Sequence, residues 1–201
     1  IGGPQGDTLN GGAGNDTFLA TADETGFDRF NGGDGYDRIL STGDGVDIRI
    51  NSLTGVEEIS SAGFHDVKLI GNNATHLTLD LSGTSLHGIT EVYAGTANNV
   101  IYTSSDSDAV GGQAYRGGAG NDTFIFGDQD TRLLYSAADN GGYDTFRGNT
   151  DGATHTIIAE TDNTVIGIAG TPSGYRAFYG GTDSVDVIDG NGHANVVIEG
   201  P

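Results

Sequence analysis

Residues 117–125, Gly-Gly-Ala-Gly-Asn-Asp-Thr-Phe-Ile, follow the pattern G-G-x-G-x-D-x-U-x, with U a large apolar side chain. The chemistry open to that pattern is the binding of a hard cation. Glycines at the first, second and fourth positions let the backbone turn tightly and present carbonyl oxygens. Asp122 adds a carboxylate, and Phe124 begins a short strand that faces inward. Residues 11–19 repeat the first eight letters of that stretch, and residues 32–40, Gly-Gly-Asp-Gly-Tyr-Asp-Arg-Ile-Leu, fit the same template. Three full matches in 201 residues are a repeat, and their oxygen ligands read as calcium turns.

The spacing says which carboxylates belong together. Residues 2–10 and 23–31 are degenerate copies, placing Asp7 nine residues before Asp16 and Asp28 nine residues before Asp37. With a three-residue insert at Ala20 to Ala22, two nonapeptides make one coil and like positions recur 21 residues apart. Asp7 then pairs with Asp28, and Asp16 with Asp37, across a gap between stacked coils. Asp144 follows Asp122 by 22 residues and makes a third pair.

These residues resemble the haemolysin-type (RTX) calcium-binding repeat family, whose nonapeptides wind into a parallel β-roll with calcium held in the turns. The resemblance implies that each ion takes backbone carbonyls and sixth-position carboxylates from two neighbouring turns. Carried over, the best site uses Asp16 and Asp37 with carbonyls around Gly11, Ala13, Gly32 and Asp34. A second site uses Asp122 and Asp144 with Gly117 and Ala119, although Asp139-Asn140 stand where two glycines belong. The Asp7 and Asp28 site departs further, because Gln5 and Glu24 replace template glycines. The family also implies type I export from a bacterium and a larger parent chain with further domains.

The scaffold reads as one domain, with residues 1–45 and 116–148 as nonapeptide coils, residues 46–115 as wider β-helical coils and residues 149–201 as further coils. An offset of 33 aligns Val46, Leu53, Glu58 and Ile59 with Leu79, Leu86, Glu91 and Val92, which puts Glu58 and Glu91 one coil apart. Short alternating runs such as Leu77-Thr78-Leu79-Asp80-Leu81 are strand signals with no helical period. The pairs Asn72-Asn73 and Asn98-Asn99 are expected in turns that need no ligand. The predicted fold is all-β, a right-handed parallel β-roll and β-helix with calcium-binding turns. A last open strand edge would be covered by a neighbouring domain or a partner chain.

Composition narrows the function. Thirty-six glycines without a third-position period exclude a collagen-like chain. Twenty-eight acidic residues against eight basic ones give a net charge of −20, a surface unsuited to nucleic acid and one whose self-repulsion opposes folding without cations. Cysteine is absent, so metal would have to do the stapling that disulfides do elsewhere. No stretch approaches a membrane span.

Catalysis finds few candidates. Lys68 is the only lysine, and His65, His76, His87, His155 and His193 occur singly. His76 and His87 flank one predicted strand and are the histidines best placed to meet. Tyr36, Tyr93, Tyr102, Tyr115, Tyr143, Tyr175 and Tyr179 suggest surfaces that stack on sugar rings. The expected function is therefore a non-catalytic, calcium-dependent folding and presentation module of a secreted or cell-surface protein. The alternative is an adhesive module that binds polysaccharide or copies of itself, and a polysaccharide lyase or epimerase fragment ranks behind both.

Overall fold

The computed structural model describes residues 2–74, 76–139, 142–148, 152–169 and 185–199. Within them the chain coils repeatedly, and every coil adds one parallel strand to a common sheet. The first coils carry two strands each: β1 (Thr8–Ala13) and β2 (Thr17–Ala20), β3 (Asp28–Asp34) and β4 (Arg38–Ser41), β5 (Asp47–Thr54) and β6 (Glu58–Ser60). Two three-stranded coils follow, with β7 (Lys68–Gly71), β8 (Thr78–Asp80) and β9 (Ser85–His87), then β10 (Glu91–Tyr93), β11 (Val100–Tyr102) and β12 (Asp106–Ser107). The rest are β13 (Gln113–Arg116) and β14 (Thr123–Ile125), β15 (Thr131–Tyr135) and β16 (Thr145–Arg147), β17 (His155–Ala159) and β18 (Val165–Gly167), β19 (Val187–Asp189) and β20 (Val197–Glu199).

The main sheet has nine strands in the order β1-β3-β5-β7-β10-β13-β15-β17-β19. A second runs β2-β4-β6-β9-β12, a third β8-β11-β14-β16, and β18 pairs with β20. The all-β, stacked-parallel solenoid expected from the repeats is what forms. Its core is a set of ladders in which each coil supplies one apolar side chain per sheet. On the main sheet Ile48, Leu69, Val92, Tyr115, Leu133 and Ile157 stand in successive register. On the second, Phe18, Ile39, Ile59 and Leu86 do so, and on the third Leu79, Ile101, Phe124 and Phe146. The large apolar position of the nonapeptide is thus the inward rung: Ile39 is fully buried and Phe18 and Phe124 nearly so. Burial of each such side chain contributes about 1.5–3 kcal/mol, and this ladder makes the coils stack rather than splay.

The 33-residue period is not the coil. Asp47 pairs with Lys68 and Lys68 with Glu91, so a coil here takes 21 to 23 residues. Glu58 lies on the second sheet opposite Ser85, whereas Glu91 lies on the main sheet opposite Lys68. The offset arises because β8 adds a third face to the coil. Each face of a three-sided coil repeats the same apolar alternation, so self-similarity can match one face to the next face of the following coil. Past β17 the step lengthens to 31 residues. On the last strands Val187, Val197 and Ile198 are about half exposed.

Candidate metal centre

The nonapeptide turns lie at one corner of the roll, where β1 passes into β2 and β3 into β4, and where β13 passes into β14. Gly12 and Gly14 have φ of 107° and 108°, a backbone that side-chain-bearing residues rarely adopt. Gly11, the first of the motif, is needed for a different reason. A Cβ there would sit 2.7 Å from Asp16 Oδ2, so the missing side chain is what lets the carboxylate fold back over its own turn. Gly32 stands in the same way against Asp37 Oδ2, and Gly117 against Asp122 Oδ2.

Stacked turns are clasped in both directions. The Asp16 N–H donates to Asp37 Oδ1 at 2.7 Å, while Asn15 Oδ1 accepts from the Tyr36 N–H at 3.0 Å. The same pair of bonds recurs farther along: the Asp122 N–H donates to Asp144 Oδ1 at 2.8 Å, and Asn121 Oδ1 accepts from the Tyr143 N–H at 2.8 Å. The Asp7 N–H donates to Asp28 Oδ1 at 2.8 Å. Each of the three carboxylate pairs expected from the spacing is therefore brought together across one gap between coils. Of the carbonyls, that of Asp34 accepts a bond from the Gly14 N–H at 2.8 Å. Ala13 lies opposite Asp34 in the same parallel ladder.

Asp37 Oδ1 and Asp122 Oδ1 are committed to the backbone N–H groups of Asp16 and Asn99; the second oxygen is the chemically interesting one. Asp16 Oδ2, Asp37 Oδ2 and Asp122 Oδ2 are buried and have no hydrogen-bond partner. Asp37 and Asp122 are 0% and 1% exposed. Burial first, and the Asp144 charge second, push the Asp122 carboxyl up to about 7. At the Asp7 and Asp28 gap, burial raises Asp28, with the Asp7 charge adding to it. There Glu24 is also buried, its Oε1 is partnerless, and burial followed by the Asp28 charge raises it too. Asp7 Oδ2 instead accepts from the Gly3 N–H at 2.6 Å, and Asp144 Oδ2 accepts from the Tyr135 hydroxyl.

A buried carboxylate oxygen with no donor, set against a turn of carbonyls, is costly unless a cation completes it. The donor set is all oxygen, which fits a hard ion such as calcium. Among the described residues no three Asp, Glu, His or Cys side chains converge as a metal-holding group, so an ion at these gaps would need backbone carbonyls beside its two carboxylates.

Glu57 was not among the residues expected here. Its Oε2 accepts from the Asp37 N–H at 2.7 Å, extending the carboxylate stack by one coil. It follows Asp37 by 20 residues rather than 21, and its longer side chain makes up the difference; a Gly-x-Glu at 55–57 was the available signal. Among the described residues the tyrosines do not form one platform. Tyr115, expected at the surface, is 1% exposed, and the Ser104 N–H donates to its hydroxyl at 2.8 Å. Tyr36 is exposed and donates to Glu58, Tyr93 and Tyr102 lie half-buried on different sheets, and Tyr175, Tyr179 and Asn140 lie outside the described residues. The two histidines have separate partners: His76 meets the Asn98 carbonyl, and His87 lies 3.7 Å from Asp108. Among the described residues no helix is long and apolar enough to cross a membrane. No protein-family model matches this chain, and no curated protein or solved structure matches it either.

Proposed function

We propose that the chain is a non-catalytic, calcium-gated folding and presentation module of a secreted or cell-surface protein. The observation that carries this reading is the set of three buried, partnerless carboxylate oxygens, on Asp16, Asp37 and Asp122, each turned back over a glycine turn. Bound there, calcium would neutralise paired carboxylates and take the carbonyl oxygens of the turn as its further ligands. Asp16 and Asp37 would hold one ion, and Asp122 and Asp144 another. The Asp7 and Asp28 gap, with Glu24 beside it, would hold a third more weakly.

The protein's own residues supply the coupling. Asp side chains repel one another in a chain of net charge −20, and the clasps form only when coils stack, so any ion that needs both carboxylates binds the folded state alone. Extracellular calcium modules bind at about 0.1–1 mM, a range that leaves the chain loosened where calcium is scarce and folded where it is abundant.

Circular dichroism with a thermal melt tests this, in excess EDTA and then across a calcium titration with magnesium as control. The melting temperature should rise with calcium and hardly at all with magnesium, which is smaller and gives up its waters reluctantly. Identical melts in EDTA and calcium would overturn the reading.

A further inference from the structure

The stack that ends in Asp122 and Asp144 continues upstream through a residue that is not an acid. Asn99 occupies the next rung: its N–H donates to Asp122 Oδ1 at 2.7 Å, and its own Oδ1 accepts from the Leu77 N–H at 3.0 Å. The neighbouring rung matches as well, since Asn98 Oδ1 accepts from the Asn121 N–H at 2.8 Å, as Asn121 does from Tyr143. Asn99 is 1% exposed. In every clasping detail this is a nonapeptide turn without its aspartate: Gly95 keeps the second glycine's positive φ, at 111°, while Ala94 and Ala97 stand where the first and fourth glycines would be.

The difference is the second atom of the side chain. On Asp16, Asp37 and Asp122 that atom is a bare oxygen with no partner. On Asn99 it is Nδ2, which donates to the Ala97 carbonyl at 2.6 Å across its own turn. An NH2 group carries two donors and partial positive charge. Here it is directed at the turn carbonyl, one of the two kinds of oxygen a cation would take.

We propose that Asn99 is a built-in substitute for the ion: its amide satisfies the turn carbonyl that calcium would take in an aspartate turn, and it brings no second charge to the gap. The coils around β8 and β11 then close without a cation, and cation dependence is confined to the turns on either side. The number of ions bound is thus set by the choice between Asn and Asp at this one position of each turn. The inference rests on the calcium reading above for its ion, and on hydrogen bonds alone for its geometry.

Two reciprocal variants test it by calorimetric titration with calcium chloride and by melts in EDTA. Asn99→Asp should bind one more ion per chain than the parent and should melt lower than the parent in EDTA, with recovery in saturating calcium. Asp122→Asn should bind one ion fewer and melt higher than the parent in EDTA. An Asn99→Asp protein with the parental ion count, or one left unfolded in saturating calcium, overturns the proposal. So does an Asp122→Asn protein that melts no higher in EDTA. If the parent binds no calcium, the calcium reading alone falls, and the EDTA melt of Asp122→Asn still decides whether an amide belongs in an aspartate turn.

Discussion

Asp122 shows what a single buried carboxylate does to stability. Its folded carboxyl sits at about 7, against 3.8 for an unburied aspartate, so the folded state holds its proton more tightly than the unfolded chain does. Without a cation its contribution is fully present below pH 3.8 and is lost as pH rises towards 7, a swing of order 4 kcal/mol. Melting temperatures in EDTA are therefore expected to fall between pH 4 and 7, and the fall should be smaller in Asp122→Asn. Saturating calcium should flatten it, because the ion takes the proton's place. A second residue-scale test concerns Gly32, whose Cβ would collide with Asp37 Oδ2 and with the Gly55 carbonyl. Gly32→Ala should lower stability by about 2–4 kcal/mol, in the range of severe packing defects, with the loss measured by denaturant unfolding in calcium. Asp16, Asp37 and Asp122 were legible in the sequence because a tight glycine turn leaves few places for a carboxylate to go. Glu57 was hidden by its shorter spacing, and Asn99 because an Asn-Asn pair resembles any surface turn.

Strands and ladders carry the next layer of consequence. Leu86 is fully buried and closes the second-sheet ladder above Ile59. Leu86→Ala should cost about 2–5 kcal/mol, equally in EDTA and in calcium, since no clasping carboxylate touches it. The C-terminal coils contain an opposite pH response. His155, the first residue of β17, stacks on Phe126 with ring centroids 4.0 Å apart and is 1% exposed. Its Nδ1 meets the Thr131 hydroxyl at 2.9 Å and its Nε2 has no partner. Burial lowers its pKa below 6.5 despite the opposing pull of Asp186 and Asp130. The neutral ring is the folded form, so stability is lost as pH falls below 6.5. Hydrogen exchange over residues 153–159 should accelerate from pH 7 to pH 5, after correction for intrinsic rates, and His155→Phe should remove that acceleration. The alternating strands were readable from period alone, as in Leu77–Leu81. The third sheet was not, since alternation says which side chains point inward and nothing about how many faces a coil has.

For the molecule as a whole, two forces oppose each other. The apolar ladders run unbroken through the main sheet from Ile48 to Ile157, while a net charge of −20 pushes the coils apart. Salt and calcium relieve that repulsion in different ways. Sodium chloride screens exposed charges over a Debye length of about 8–10 Å near physiological strength and acts on all of them alike. It cannot complete the buried oxygens of Asp37 and Asp122, which are shielded from bulk solvent. In EDTA, raising sodium chloride should therefore lift the melting temperature modestly and to a plateau, and millimolar calcium should lift it further at the same ionic strength. The gain should be uneven along the chain. The coils from β5 to β11 have the densest run of fully buried aliphatic side chains, including Ile48, Ile59, Leu69, Leu79 and Ile101, and Asn99 in place of an aspartate. Hydrogen exchange in EDTA should find these coils the slowest to exchange, with the turns at 11–16, 32–37 and 117–122 the fastest. Calcium should slow those three turns by at least tenfold and change the middle little. Uniform slowing along the whole chain would instead mean that the ion acts as a general counter-charge, with the glycine turns no more than places where the coil changes direction.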